Sequence, residues 1–232
     1  MIAEYLKRLY YRTYEIEAKR VALNLHERNE NAKVLDCGCG TGKYTMEVAY
    51  KIGAKDIVGI DVTPEVVAVA KGNGVVAEVA NINEPWRFDS GYFDAIHATG
   101  IIDHLDDTDN FFAESYRVLK TGGYMVILTS NLAAYHHILS LLFGRQPSIA
   151  HISSKVLVGT LGIDGEHWET LEQGCLKRVF TLRALLGLCW YYNFNVEKVI
   201  GAGYYPLPPK LATFMCKVDK THSAYLVIKV RK

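Results

Sequence analysis

The chain has 232 residues, half of them hydrophobic, and 26 Lys and Arg against 25 Asp and Glu leave a net charge of +1. That length supports one sizeable core and no second domain, and the charge balance argues against the clustered basic face that DNA or RNA recognition requires. No run approaches the ~18 apolar residues of a membrane span.

Residues 2–28 place Ile2, Leu6, Leu9 and Ile16 among charges, the pattern of one or two amphipathic helices. The charged opening, MIAEYLKRLYYRTYEIEAKR, has no apolar core of a signal peptide. Strand and helix then alternate. Lys33–Cys37 is a short apolar run, and Lys43–Ile52 is helical, with Tyr44, Val48 and Ile52 on one face and Gly53 ending it. Asp56–Asp61 is a second strand, followed by Thr63-Pro64, an N-cap with proline at the first helical position. Strands are expected over 75–79 and 93–98. Residues 109–119 form a helix with Phe112, Tyr116 and Leu119 on one face, stopped by Gly122-Gly123, and 124–129 is a fifth strand. Continuous apolar strands separated by helices indicate a parallel sheet covered on both faces.

Residues 131–180 interrupt this alternation with an apolar helix over 132–143 and a loop-rich stretch holding His151, Glu166, His167 and Trp168. An insertion of that size in an α/β fold is more often functional than idle. A helix from Thr181 follows, its stripe formed by Leu182, Leu185, Leu186, Cys189 and Trp190. A strand near 194–200 and a last one over 224–230 close the chain. The five cysteines have no framework spacing, so neither a disulfide scaffold nor a four-thiolate zinc site is expected. Reduced thiols in a soluble, cytoplasmic protein are. His151 and His167 with Glu166 lack H-x-x-x-H spacing, and no metal is expected. The oligomeric state stays open.

The stretch VLDCGCGTGKYT, residues 34–45, carries the chemistry. A P-loop needs G-x-x-x-x-G-K-[ST]; its first glycine would fall on Cys37 and its hydroxyl on Tyr44. The dinucleotide fingerprint G-x-G-x-x-G is also missed, because Gly38, Gly40 and Gly42 space as G-x-G-x-G. Asp36, closing the strand, would repel a pyrophosphate. A phosphate-free cation fits better, and S-adenosylmethionine is one: Asp36 suits its ammonium, directly or through water, the glycines admit the backbone to its amino-acid end, and Asp61, ending the second strand, suits its ribose hydroxyls.

VLDCGCGTG resembles the first motif of the class I S-adenosylmethionine-dependent methyltransferases. GIDVTPEVVAVA resembles their second strand and helix, NINEPWRFDSGYFDAIHATGIIDHL their adenine loop, fourth strand and following turn, and RVLKTGGYMVILTSN their fifth strand. The likeness is tight over about residues 33–131 and nearest to the small-molecule branch, similar to ubiquinone-biosynthesis methyltransferases. It implies a doubly wound, seven-stranded, mostly parallel Rossmann-like α/β sheet with helices on both faces, as a single domain over 1–232. N-terminal helices over 1–32 and a substrate lid over 131–180 complete it. It also implies S-adenosylmethionine as cofactor, held by Asp36, Gly38, Cys39, Gly40, Thr41, Gly42, Asp61, Val62, Asn81, Ile82, Ala98 and Thr99.

Two positions depart from the family pattern. Asn81 replaces a common aspartate at the adenine, where its amide oxygen can still meet an amine. The turn after the fourth strand, usually E-x-x-E-H-L, opens on Gly100 and runs Ile101-Ile102-Asp103-His104-Leu105. His104, with Asp103 beside it, and His136 are the candidate general bases for an oxygen nucleophile. The expected reaction is methyl transfer to a small, partly apolar acceptor under the lid. A non-catalytic cofactor-binding partner subunit or sensor is the alternative, favoured by the missing acid at position 100. A nicotinamide dehydrogenase is disfavoured by the glycine spacing.

Overall fold

The structure is a computed structural model that describes residues 8–9, 11–160, 169–170 and 176–232. A π-helical segment, Arg12–Ala18, runs into α1 (Lys19–Asn24). Then β1 (Lys33–Cys37), α2 (Lys43–Ile52), β2 (Asp56–Asp61), α3 (Pro64–Gly72), β3 (Val76–Val79), β4 (Phe93–Thr99), α4 (Thr108–Val118) and β5 (Leu119–Ser130) alternate. Beyond them lie α5 (Tyr135–Leu142), the two-residue strands β6 (Val156–Leu157) and β7 (Glu169–Thr170), α6 (Leu182–Tyr191), β8 (Asn195–Ala202), α7 (Pro209–Val218) and β9 (Tyr225–Arg231).

Seven strands make one open sheet in the order β3-β2-β1-β4-β5-β9-β8, with β9 antiparallel to both neighbours. The doubly wound, mostly parallel expectation holds. Its central strands are apolar on both sides because both faces are covered. Leu35, Ile96, Met125 and Ile127 face Phe111 and Phe112 of α4 and Leu185 of α6. Val34, Ala95, Val126 and Leu128 face Ala22 of α1 and Val48 and Ile52 of α2. Each large side chain so buried contributes about 1.5–3 kcal/mol. From β1 the chain winds to β2 on one side and later to β4 on the other. The crevice beyond the carboxyl end of β1 is therefore the switch point where such sheets bind ligands.

Several local readings change. The helix over 109–119 ends at Val118, and Leu119 already belongs to β5, so Gly122 and Gly123 lie within the strand rather than stopping the helix. The apolar helix over 132–143 contracts to α5, with Leu141, Leu142 and Phe143 exposed. Ile16 and Trp190, both read as packing residues, are also exposed. Thr63 occupies the N-cap of α3 without a capping bond from its side chain. α7 had no counterpart in the sequence reading. Ile2, Leu6, Glu166, His167, Trp168 and Cys175 lie outside the described residues.

The segment expected to form a lid leaves and rejoins the fold at one place. Asn131 bridges to Phe180, and the Leu132 N–H donates to the Phe180 carbonyl at 2.8 Å. The buried Asn131 side chain also donates to the carbonyls of Thr221 and Ser223, at 2.8 and 2.7 Å.

Candidate cofactor and active site

The turn after β1 is fastened to β2: the N–H groups of Gly38 and Cys39 both donate to the Ile60 carbonyl, at 2.8 and 3.0 Å. Gly38, Gly40 and Gly42 take φ of +77°, +50° and +76°, values that L side chains rarely adopt. Two of them are packed. A Cβ at Gly38 would come within 2.9 Å of Ile101, and one at Gly42 within 2.7 Å of Val75 and 3.1 Å of the Ala70 backbone. A Cβ at Gly40 would meet nothing within 4 Å, so the backbone there borders open space.

Two carboxyl groups stand at this end of the sheet, Asp36 in β1 and Asp61 ending β2. Asp36 is buried and accepts the Thr45 hydroxyl at 2.6 Å. Burial, reinforced by the Asp61 charge and opposed by the Thr45 hydrogen bond, pushes its pKa up to about 7. Asp61 accepts the Gly40 N–H on one oxygen and the Thr63 N–H on the other, each at 3.0 Å. It thus joins the glycine turn to the start of α3. Carboxylates here suit a positively charged ligand and repel phosphate. These residues fit S-adenosylmethionine: carboxylates for its ammonium and ribose, and an unobstructed backbone at Gly40.

Other expected contacts sort by what their side chains do. Cys39 points into an apolar cluster with Val67, Ala70, Val75 and Ala77, and burial pushes its thiol up to about 12, leaving only its backbone for a ligand. Thr41 is exposed, and its carbonyl accepts the Asn73 amide at 2.9 Å, tying the turn to the end of α3. Val62 is exposed beside Asp61. Asn81 spends its amide oxygen on Asn83, from backbone and side chain alike at 3.1 Å, and its nitrogen on Glu84 at 2.9 Å. Ile82 and Ala98 are buried in the core. Thr99, ending β4, is half-buried, with its hydroxyl 2.7 Å from His97 Nε2.

The loop around Asn81 is held from α4. Asn83 accepts the N–H groups of Asp106 and Asp107 at 2.8 and 2.9 Å, and the Asn110 amide donates to the carbonyls of Ile82 and Glu84 at 2.9 and 3.0 Å. Glu114 accepts the Trp86 N–H at 2.7 Å and is itself clamped by Arg117. Sequence reasoning missed Asn83, Thr45, His97 and Tyr14, whose partners are all supplied by the fold.

Past Thr99, Gly100 has φ +62°, and a Cβ there would run into the Tyr14 hydroxyl. Residues Ile102–His104 form a single 3₁₀ turn. Asp103 is buried, with Oδ1 lacking a partner among the described residues. Its carbonyl accepts the N–H groups of Lys177 and Arg178 at 2.8 and 3.0 Å, so the returning arm of the 131–180 segment lies against this turn. His104 is half-buried. His136, in the first turn of α5, packs edge-on against Tyr205 at 5.0 Å and 3.9 Å from the His137 ring. Its buried Nδ1 has no partner among the described residues, and burial lowers its pKa to about 3.

Asp36, the glycine turn, Asp61, Thr99 and the Asp103-His104 turn therefore gather at the carboxyl ends of β1, β2 and β4. Among the described residues, no three His, Cys, Asp or Glu side chains converge on a metal-sized space.

A family model for a methyltransferase domain matches residues 28–173. Over 123 residues the chain is 30% identical to the mitochondrial ubiquinone biosynthesis O-methyltransferase of Rattus norvegicus, covering 49% of this chain and 35% of that protein. Over 119 residues it is 35% identical to the ubiquinone/menaquinone biosynthesis C-methyltransferase of Geobacter sp. (strain M21), covering 47% and 50%. The match thus spans half or less of these relatives. An S-adenosylmethionine dependent methyltransferase from Mesorhizobium loti superimposes with a TM-score of 0.66 at 17% identity, covering 94% of this chain and 100% of that one, a likeness of fold.

Proposed function

The chain belongs to the class I S-adenosylmethionine-dependent methyltransferases, and from that premise we propose that it methylates a small, partly apolar acceptor at oxygen. The observation that carries the reading is the open backbone at Gly40, bonded to Asp61, at the switch point of the sheet, with Asp36 in the adjoining strand. When bound, S-adenosylmethionine supplies an electrophilic methyl group on a sulfonium that leaves as a neutral thioether.

The protein's part is placement and exclusion of water, which proximity makes worth ~7–11 kcal/mol. Asp36 holds the ammonium and Asp61 the ribose. The loop from Asn81 to Trp86, clamped by Asn110 and Glu114, borders the adenine. His104, half-buried in the turn after β4, removes the acceptor's proton as the methyl group is transferred, with Asp103 beside it. His136, lowered to about 3 by burial, stays neutral and orients an acceptor by hydrogen bonding rather than taking its proton.

The described residues of the 131–180 segment serve as the lid. Support comes from the bridge between Asn131 and Phe180 at its root and from the bonds its returning arm makes to the Asp103 carbonyl. Exposed Leu141, Leu142, Phe143 and Ile152 give it an apolar surface. The net charge of +1 favours a small molecule over nucleic acid, and the free cysteines Cys37, Cys39, Cys189 and Cys216 suit a cytoplasmic setting. Incubation with S-adenosylmethionine and separate phenol, thiol and amine acceptors tests this by formation of S-adenosylhomocysteine. Turnover with phenols, lost in His104→Ala, is expected. Turnover confined to thiols or amines overturns methylation at oxygen, and none with any acceptor favours the non-catalytic binding subunit.

A further inference from the structure

A line of hydrogen bonds crosses the protein from the crevice to its opposite edge. The Thr99 hydroxyl lies 2.7 Å from His97 Nε2, and His97 Nδ1 lies 2.9 Å from His26 Nε2. His26 Nδ1 lies 3.3 Å from the Tyr124 hydroxyl, which accepts the Glu27 N–H at 2.9 Å. His26 and His97 are both buried. Burial and nearby lysines lower His26 to about 3, and burial with His26 and Lys19 holds His97 well below the usual imidazole range. Both rings are therefore neutral, each with one N–H and one bare nitrogen.

Counting donors gives the line a direction. The Glu27 N–H can only donate, so the Tyr124 oxygen accepts there, and among the described residues His26 Nδ1 is the acceptor in reach of its single proton. His26 then carries its proton on Nε2 and donates to His97 Nδ1. His97 in turn carries its proton on Nε2 and donates to Thr99. The opposite direction would send the Tyr124 proton elsewhere, and among the described residues no other partner takes it. The proton of the Thr99 hydroxyl is left for the crevice.

The sheet register places that proton. Asp36 of β1 pairs with His97 of β4, so Thr99, two residues on, stands beside the Gly38 end of the glycine turn, where Ile101 also touches it. We propose that the Thr99 hydroxyl is an oriented hydrogen-bond donor to the carboxylate at the methionine end of the cofactor, and that His97, His26 and Tyr124 are the positioning residues that set its direction. The proposal rests on the cofactor reading of this crevice. Asp36 serves the ammonium, and Thr99 supplies the neighbouring carboxylate with a neutral donor. The same line ties the N-terminal segment carrying His26 to the competence of the site.

Two measurements test it. In ¹⁵N NMR of the whole chain, His26 and His97 should both be protonated on Nε2, and Tyr124→Phe should mix the two tautomers of each. Protonation of His97 on Nδ1 in the unsubstituted protein overturns the proposal. In calorimetric titration, Thr99→Val should weaken S-adenosylmethionine and S-adenosylhomocysteine roughly tenfold or more, as expected for a hydrogen bond to a charged group. Methylthioadenosine, which lacks the carboxylate, should bind unchanged, and Thr99→Ser should restore the loss. An equal loss for all three ligands, or none, overturns the proposal. If the unsubstituted protein binds none of the three, the cofactor reading falls and takes the proposed ligand with it, whereas normal binding with the wrong tautomers sinks the positioning line alone.

Discussion

The Tyr14 hydroxyl stands where the first side-chain atom of any residue other than glycine at position 100 would be. Its neighbour Thr13 fills the corresponding notch at Gly203, where φ is +74°. Two consecutive side chains of the π-helical segment Arg12–Ala18 thus key into two glycines, one ending β4 at the crevice and one following β8. Glycine stands at position 100, and the Tyr14 hydroxyl fills the space that a side chain there would need.

Gly100→Ala should therefore cost stability in two ways: roughly 1–2 kcal/mol for a Cβ in a left-handed conformation, and displacement of Tyr14. Chemical denaturation of Gly100→Ala, Tyr14→Phe and the double variant checks this. The double variant should be more stable than the sum of the single losses allows, because removing the Tyr14 oxygen relieves the clash. Strict additivity would mean the two residues do not meet.

The glycine turn should separate stability from binding. Gly42→Ala forces a Cβ against Val75 and the Ala70 backbone, and overpacking on this scale costs about 1–3 kcal/mol beyond the backbone strain. Gly40→Ala points into open space, so it should lose only the backbone strain of about 1–2 kcal/mol while its methyl group obstructs the cofactor. Melting curves with and without S-adenosylhomocysteine distinguish the two: Gly42→Ala lowers the unliganded Tm more, and Gly40→Ala abolishes the ligand-induced rise.

Asp36 should make both stability and binding depend on pH. Its pKa rises from 3.8 to about 7 in the folded protein. Between those values the native state holds a proton that the unfolded chain releases, so this group's contribution to stability falls as pH rises through that window. Asp36→Asn should then be more stable than the unsubstituted protein at pH 8, by roughly 1–4 kcal/mol, with the advantage gone near pH 4. Binding runs the other way. A cation wants the carboxylate ionised, so affinity for S-adenosylmethionine should fall as pH drops below about 7, and the Asn variant should bind weakly without that slope. Denaturation and titration from pH 4 to pH 8 read both effects.

What the sequence disclosed was local. Lys33–Cys37, Lys43–Ile52 and Asp56–Asp61 emerge with the expected bounds, because strand, glycine turn and helix are coded by adjacent residues. The boundary between α4 and β5 was misread because Gly122-Gly123 looked like a helix stop, whereas the pairing of Phe93 with Leu119 extends the strand back to the helix end. α7 has no counterpart in the sequence reading, which passes from the strand near 194–200 to the last one, although Pro208-Pro209 supplies a proline at the start of a helix. The contact of His26 with His97, 71 residues apart, and that of Tyr14 with Gly100 leave no trace in local pattern. They exist only once the N-terminal segment has folded back onto the sheet.

The central claim is that the crevice at Gly40 holds S-adenosylmethionine between Asp36 and Asp61. Calorimetric titration of the unsubstituted protein and of Asp61→Ala with S-adenosylmethionine, S-adenosylhomocysteine, NAD and ATP tests it most directly. The expected result is binding of the first two alone, markedly weakened in the variant, where the ribose loses its carboxylate and the glycine turn its anchor. Binding of NAD or ATP instead, or of S-adenosylmethionine with undiminished affinity in Asp61→Ala, would contradict it.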